Sequence, residues 1–168
     1  YKCSMCEQWY HGVVSCALGW GCWKTYVGRP EGDRVWLLAM GILGNGLYDA
    51  YHHEEALSVR KAELSMKLRL GAPEENILIA QSNLAMSYQR LGRFEEALQM
   101  KRDAYTGYLR LYGTEHRDTL IEALNYSKSL LDLQRYEEAK LLMRKTMPVA
   151  RRISGENDEL TLKMRLRY

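Results

Sequence analysis

The chain has 168 residues, 46% hydrophobic and 27% charged, with a net charge of +3. This is the composition of one ordinary globular domain or a short repeat array. The mild charge, with Lys and Arg interleaved among acids, supplies no basic face of the kind nucleic acid requires, and three prolines without a Ser- or Gln-rich tract leave no room for a long disordered linker.

In chain order, residues 1–33 form a Cys- and Trp-rich segment holding all four cysteines, Cys3, Cys6, Cys16 and Cys22. "CSMC" (residues 3–6) has the half-site spacing of a zinc knuckle, and His11 lies between the two Cys pairs. Three arrangements stand side by side. Cys3 and Cys6 could ligate zinc with partners outside this chain, or with His11 and Cys16 or Cys22 within it. In the third, which we adopt, Cys3 and Cys6 are free thiols and Cys16 and Cys22 pack as small apolar residues. No cofactor is then expected, zinc being the alternative. Cys6 with His11 has no third orienting group, and no βαβ pattern surrounds "CSMC", so catalysis is not expected. Residues 13–27 have helical spacing, with Val13, Cys16, Ala17, Trp20 and Val27 on roughly one side. They are too few to span a bilayer and include Lys24. With no secretory signal visible, a cytoplasmic protein without membrane contact is expected. Trp20, Trp23 and Trp36 are expected to bury the open end of the helical array that begins near residue 34.

From residue 34 onward the chain repeats itself. "AYHHEEAL" (residues 50–57), "LGRFEEAL" (91–98) and "LQRYEEAK" (133–140) place Glu54, Glu95 and Glu137 at offsets of 41 and 42. The same register aligns Gly44, Ala85 and Ser127, and then Ala56, Ala97 and Ala139. Large apolar residues recur three and four apart within each unit, which is the helical period. The spacing predicts helices at about 35–50, 53–69, 75–91, 94–111, 117–133 and 136–153, a seventh beginning near Asp158, and no strand. Gly92 suits the left-handed turn between helices, with Gln134 in its place one unit later, while Gly71, Gly113 and Gly155 suit the ends of second helices. Pro148 predicts a kink. Gly41, Gly44 and Gly46 predict close packing against a preceding element. "SVRKAELSMKLR" (residues 58–69) has the charge pattern of a solvated helix face. The repeats fall at about 35–73, 74–115 and 116–157, with a partial fourth at 158–168. Because the chain opens on Tyr1 and closes within a helical pattern, it is expected to be a fragment of a longer one.

"SNLAMSYQRLGRFEEAL" (residues 82–98) and "EALNYSKSLLDLQRYEEAK" (122–140) resemble the tetratricopeptide repeat. The 42-residue period and the loop "YGTEHRDTL" (112–120) are similar to its kinesin light chain variety. The chain has no heptad coiled coil, so the resemblance is confined to the repeats. It implies an all-α, right-handed superhelix of helical hairpins, three pairs and a truncated fourth, with first helices lining a concave groove. It further implies a non-catalytic scaffold or adaptor that binds an extended protein segment. Asn83 and Asn125 would bond the segment's backbone, since an amide both donates and accepts. Met86 and Leu131 would supply apolar surface, and Arg90, Lys128 and Arg167 would favour acidic residues beside an apolar or aromatic anchor. Ile79, Ser82, Gln89, Ile121, Leu124 and Asp132 share that face. The alternative is a zinc-organised adaptor in which the Cys-rich segment, through Cys3, Cys6 and His11, makes the specific contact.

Overall fold

The computed structural model describes residues 11–30 and 33–167. Among them are eight helices and no strand: α1 (Gly12–Tyr26), α2 (Arg34–Asp49), α3 (His53–Arg69), α4 (Glu74–Arg90), α5 (Phe94–Tyr112), α6 (Arg117–Asp132), α7 (Tyr136–Ser154) and α8 (Glu159–Arg167). The chain divides into two compact units, residues 1–91 and 92–168. Within each unit, helices adjacent in sequence pack on one another. No described helix is long and apolar enough to cross a membrane.

The helix boundaries follow the repeat register closely. The turns after α2, α4 and α6 each contain one left-handed residue, Tyr51 (φ 66°), Gly92 (φ 72°) and Gln134 (φ 59°). Only the glycine adopts that conformation without a steric penalty. Gly71, Gly113 and Gly155 have positive φ after α3, α5 and α7, as their spacing predicts. The second glutamate of each "EEA" accepts from a base just before the second helix: Glu96 from Arg93, Glu138 from Arg135, with His52 facing Glu55 at 3.7 Å. These exposed pairs contribute little energy, but they brace each turn in the same geometry. Asp33 caps α2 through the Val35 amide at 2.8 Å, and Asp158 caps α8 through the Leu160 amide at 2.9 Å. α7 runs on through Pro148 as one helix.

In unit one, Leu43, Leu47 and Ala56 form a core that Cys16, Trp23, Tyr48 and Val59 extend. Cys16 and Cys22 are half-buried free thiols. Trp23 meets Trp36 with ring centroids 5.6 Å apart. Trp20 departs from expectation and is 43% exposed. The helix glycines divide their labour. A Cβ on Gly46 would lie 2.5 Å from the Ser15 carbonyl oxygen, and one on Gly19 would lie 3.1 Å from the Leu43 Cα. The backbones of α1 and α2 therefore touch, and only glycine fits at that crossing. Gly41 and Gly44 instead face α3, where added Cβ atoms would meet Glu63 Oε1 at 3.3 Å and Arg60 Cγ at 3.2 Å. Close packing on a preceding element thus accounts for Gly46 alone.

Unit two holds one core of Leu120, Leu124, Met143, Ala150, Leu160 and Met164, and another of Leu98, Leu130 and Ala139. Tyr105 stacks on Tyr126 at 6.0 Å. Between α5 and α6 lies a buried charge pair: Lys101, 2% exposed, has its Nζ 3.8 Å from Glu122 Oε2. Glu122 also accepts from Asn125 Nδ2 at 3.1 Å. Residues in register with Lys101 are Arg60 in α3 and Met143 in α7.

Urea denaturation of four variants tests this packing. Gly46→Ala is expected to destabilise by about 1–3 kcal/mol, because the Ser15 carbonyl must move. Gly21→Ala, at a helical site with nothing within 4 Å, is expected to stabilise by roughly 0.5–1 kcal/mol. Lys101→Met should cost about 3–5 kcal/mol by stranding the Glu122 carboxylate. Adding Glu122→Gln should recover most of that loss, since Met143 shows that the register accepts a thioether.

Candidate binding cleft

Unit one contains a cleft of about 880 Å³ between α2 and α4, floored by α3 and reached at one end by His11 and Ser15. Helical spacing sets its walls. Val35, Leu38 and Ile42 recur along α2, while Ile79 and Met86 face them from α4. Leu38 is 62% exposed and Ile79 42%, so the cleft presents open apolar surface. Between these apolar side chains stand three amides, Asn45, Asn76 and Asn83.

The floor is set by Arg60. This residue lies in the stretch expected to be a solvated face, yet Arg60 is 2% exposed and Glu63 is also buried. Gly41 and Gly44 on α2 create the space, and that missing side-chain volume is what lets Arg60 and Glu63 lie in the interior. Arg60 Nη1 donates to the Asn83 carbonyl oxygen at 2.8 Å and to Ser87 Oγ at 2.9 Å, and Nη2 donates to Asn45 Oδ1 at 3.0 Å. Its guanidinium lies 4.6 Å from the centre of the Tyr48 ring. Its Nε is buried without a hydrogen-bond partner, and no carboxylate of the described residues lies within ion-pair distance. Burial pushes its pKa below the ordinary guanidinium value. Glu63, the nearest acid along α3, is held by Lys67 Nζ at 2.6 Å.

The expected site residues distribute unevenly. In unit one, Asn83 and Met86 line the cleft. Ser82 is buried and belongs to the interior. Arg90 turns away from the cleft into a second pocket of about 500 Å³ with Tyr48, Asp49, Tyr51 and His53. There its Nε donates to Tyr48 Oη at 2.8 Å, a bond that raises its pKa. Arg90 is therefore an internal brace as well as a basic group. In unit two, Asn125 binds Glu122, Lys128 is exposed and Leu131 packs on the Leu98 core. Leu124, placed on the groove face by spacing, is core. The side chain of Arg167 lies outside the described residues, as do Cys3 and Cys6. His11 is exposed at the cleft rim, and Cys16 faces the α2 core.

Sequence reasoning missed Asn45, Tyr48 and Arg60. The signal for Asn45 was available: it shares the register of Met86 and Lys128. Arg60 has a weaker one, in register with the equally buried Lys101.

Comparison with known proteins agrees with this architecture. Residues 76–152 match the family model of the tetratricopeptide repeat. A clustered mitochondria protein homolog of Candida albicans is 29% identical over 112 residues, covering 66% of this chain. The chain spans 8% of that relative's length. A putative kinesin light chain of Podosopora anserina, with nearly identical TPR-like repeats, superposes with a TM-score of 0.75 at 15% identity, over 92% of this chain and 72% of its own. BtubC (BKLC) from P. vanneervenii gives 0.73 at 15% identity, over 89% and 61%. A Rap protein complexed with Competence and Sporulation Factor gives 0.68 at 21% identity, over 79% and 36%. Residues 76–152 thus carry the tetratricopeptide repeat, and with its 41- to 42-residue period and paired helices the chain has a fold similar to that of the kinesin light chain-like repeat proteins.

Proposed function

We propose that this chain is a non-catalytic protein-interaction module that takes an extended segment of a partner protein, with the unit-one cleft as a principal seat. The observation that carries this reading is the cleft itself: exposed Leu38 and Ile79 beside Asn45, Asn76 and Asn83. Apolar side chains of an extended segment would occupy the open walls, and its peptide groups would meet the amides. An extended chain suits such a site because its backbone donors and acceptors are unpaired before binding. In unit two, Asn125 and Lys128 would serve the same role on α6. The tetratricopeptide fold supports a scaffold role in general, and the structurally similar Rap protein is complexed with Competence and Sporulation Factor. The partner itself is proposed only by this chemistry.

The test is selection of randomised twelve-residue peptides displayed on phage against the folded chain. Peptides are expected to be recovered, and Asn83→Ala is expected to weaken them about fivefold or more, the effect of losing a hydrogen bond in a desolvated site. Circular dichroism checks that the variant stays helical. Equal binding to both proteins would move the binding surface away from the cleft.

A further inference from the structure

The two units treat the same buried position differently. Lys101 in α5 and Arg60 in α3 stand in register, and both are 2% exposed. Lys101 faces the Glu122 carboxylate from the following helix. In α4 the residue in register with Glu122 is Ala80, so the carboxylate is replaced by a methyl group. Arg60 thus keeps its charge in the interior with neutral oxygens and a ring face as its direct partners, while the Glu63 and Asp49 carboxylates on the cleft wall act on it only from beyond ion-pair distance. A buried cation without a directly paired counter-charge is costly. In this molecule it borders a cleft.

The hydrogen bond to Asn45 determines what the cleft offers. A guanidinium has no acceptor, so Asn45 must turn its oxygen towards Arg60 and its Nδ2 donors away. Asn45 is exposed on the cleft wall, and its Nδ2 meets no acceptor among the described residues. The result is an oriented pair of N–H donors backed by a buried positive charge. A carboxylate placed on them would accept from Asn45 and provide the negative charge that Glu122 provides for Lys101. A neutral amide in the same place would gain one hydrogen bond and no charge interaction.

We propose that Asn45, positioned by Arg60, is the group in unit one that selects an aspartate or glutamate side chain of the bound segment. The inference rests on the cleft binding a segment at all. It assigns the acidic preference to Asn45 and Arg60, neither of which is among the basic points read from the sequence.

The probes are the tightest peptide from the randomised twelve-residue selection and its twin with every Asp and Glu changed to Asn and Gln. The selected peptides are expected to be enriched in acids, and the twin is expected to bind the native chain about tenfold more weakly, the scale of a charge-assisted hydrogen bond. Asn45→Asp keeps the acceptor for Arg60 but removes the donors and adds a like charge; it should abolish the preference while still binding the twin, which also reports that the cleft is intact. Arg60→Met should lose the preference and Arg60→Lys should restore part of it. Selected peptides without acids, equal affinity of peptide and twin, or a tenfold preference surviving Asn45→Asp would overturn the proposal while leaving the cleft reading in place. Failure to select any peptide would overturn both.

Discussion

Everything in this molecule depends on how closely two helices approach within a pair. Gly44 faces Arg60 between α2 and α3, and Ala56, Ser127 and Ala139 are buried at equivalent places in the α2–α3 and α6–α7 pairs. Small residues at these crossings bring helix backbones together, and the larger residues three and four positions away then fill the space on either side. A single pair would leave half of that apolar surface in water, so each pair requires a neighbour. The period of 41 to 42 residues is the sequence trace of this requirement.

The same constraint explains how charge enters the interior. Arg60, Lys101 and Met143 occupy one register in three successive second helices. At that register the chain uses a cation held by neutral groups, a cation facing a carboxylate, and a thioether. The middle solution resembles an ordinary buried ion pair, and the last removes the problem. The first leaves an electrostatic demand facing a cleft. A repeat architecture permits this variation because each copy can change at one position without altering the geometry of the crossing.

Much of the fold was legible because it rests on period and on small residues, both visible in a single sequence. The helix spans, the turn glycines and the left-handed Gln134 follow from local backbone chemistry. Less of the site could be read. The burial of Arg60 depends on the absence of side chains at Gly41 and Gly44, one helix earlier, so its own neighbourhood "SVRKAEL" gives no warning. Arg90 is diverted by Tyr48, 42 residues away. Leu124 could not be separated from the groove face by spacing alone, because a helix packed on two sides has little room between its faces. Tyr51 occupies a position that glycine fills in the next repeat, and nothing local marks it as left-handed.

The contact of α1 with α2 bears on motion. Helices that meet only through side chains can separate by degrees, one contact at a time. Here Gly19 and Gly46 bring two backbones into van der Waals contact, so α1 cannot lift away without exposing the Leu43 and Leu47 core. Opening of this contact is therefore a concerted event involving α1 and α2 together. Amide protons along α2 should exchange with solvent at a common slow rate, in place of a gradient along the helix.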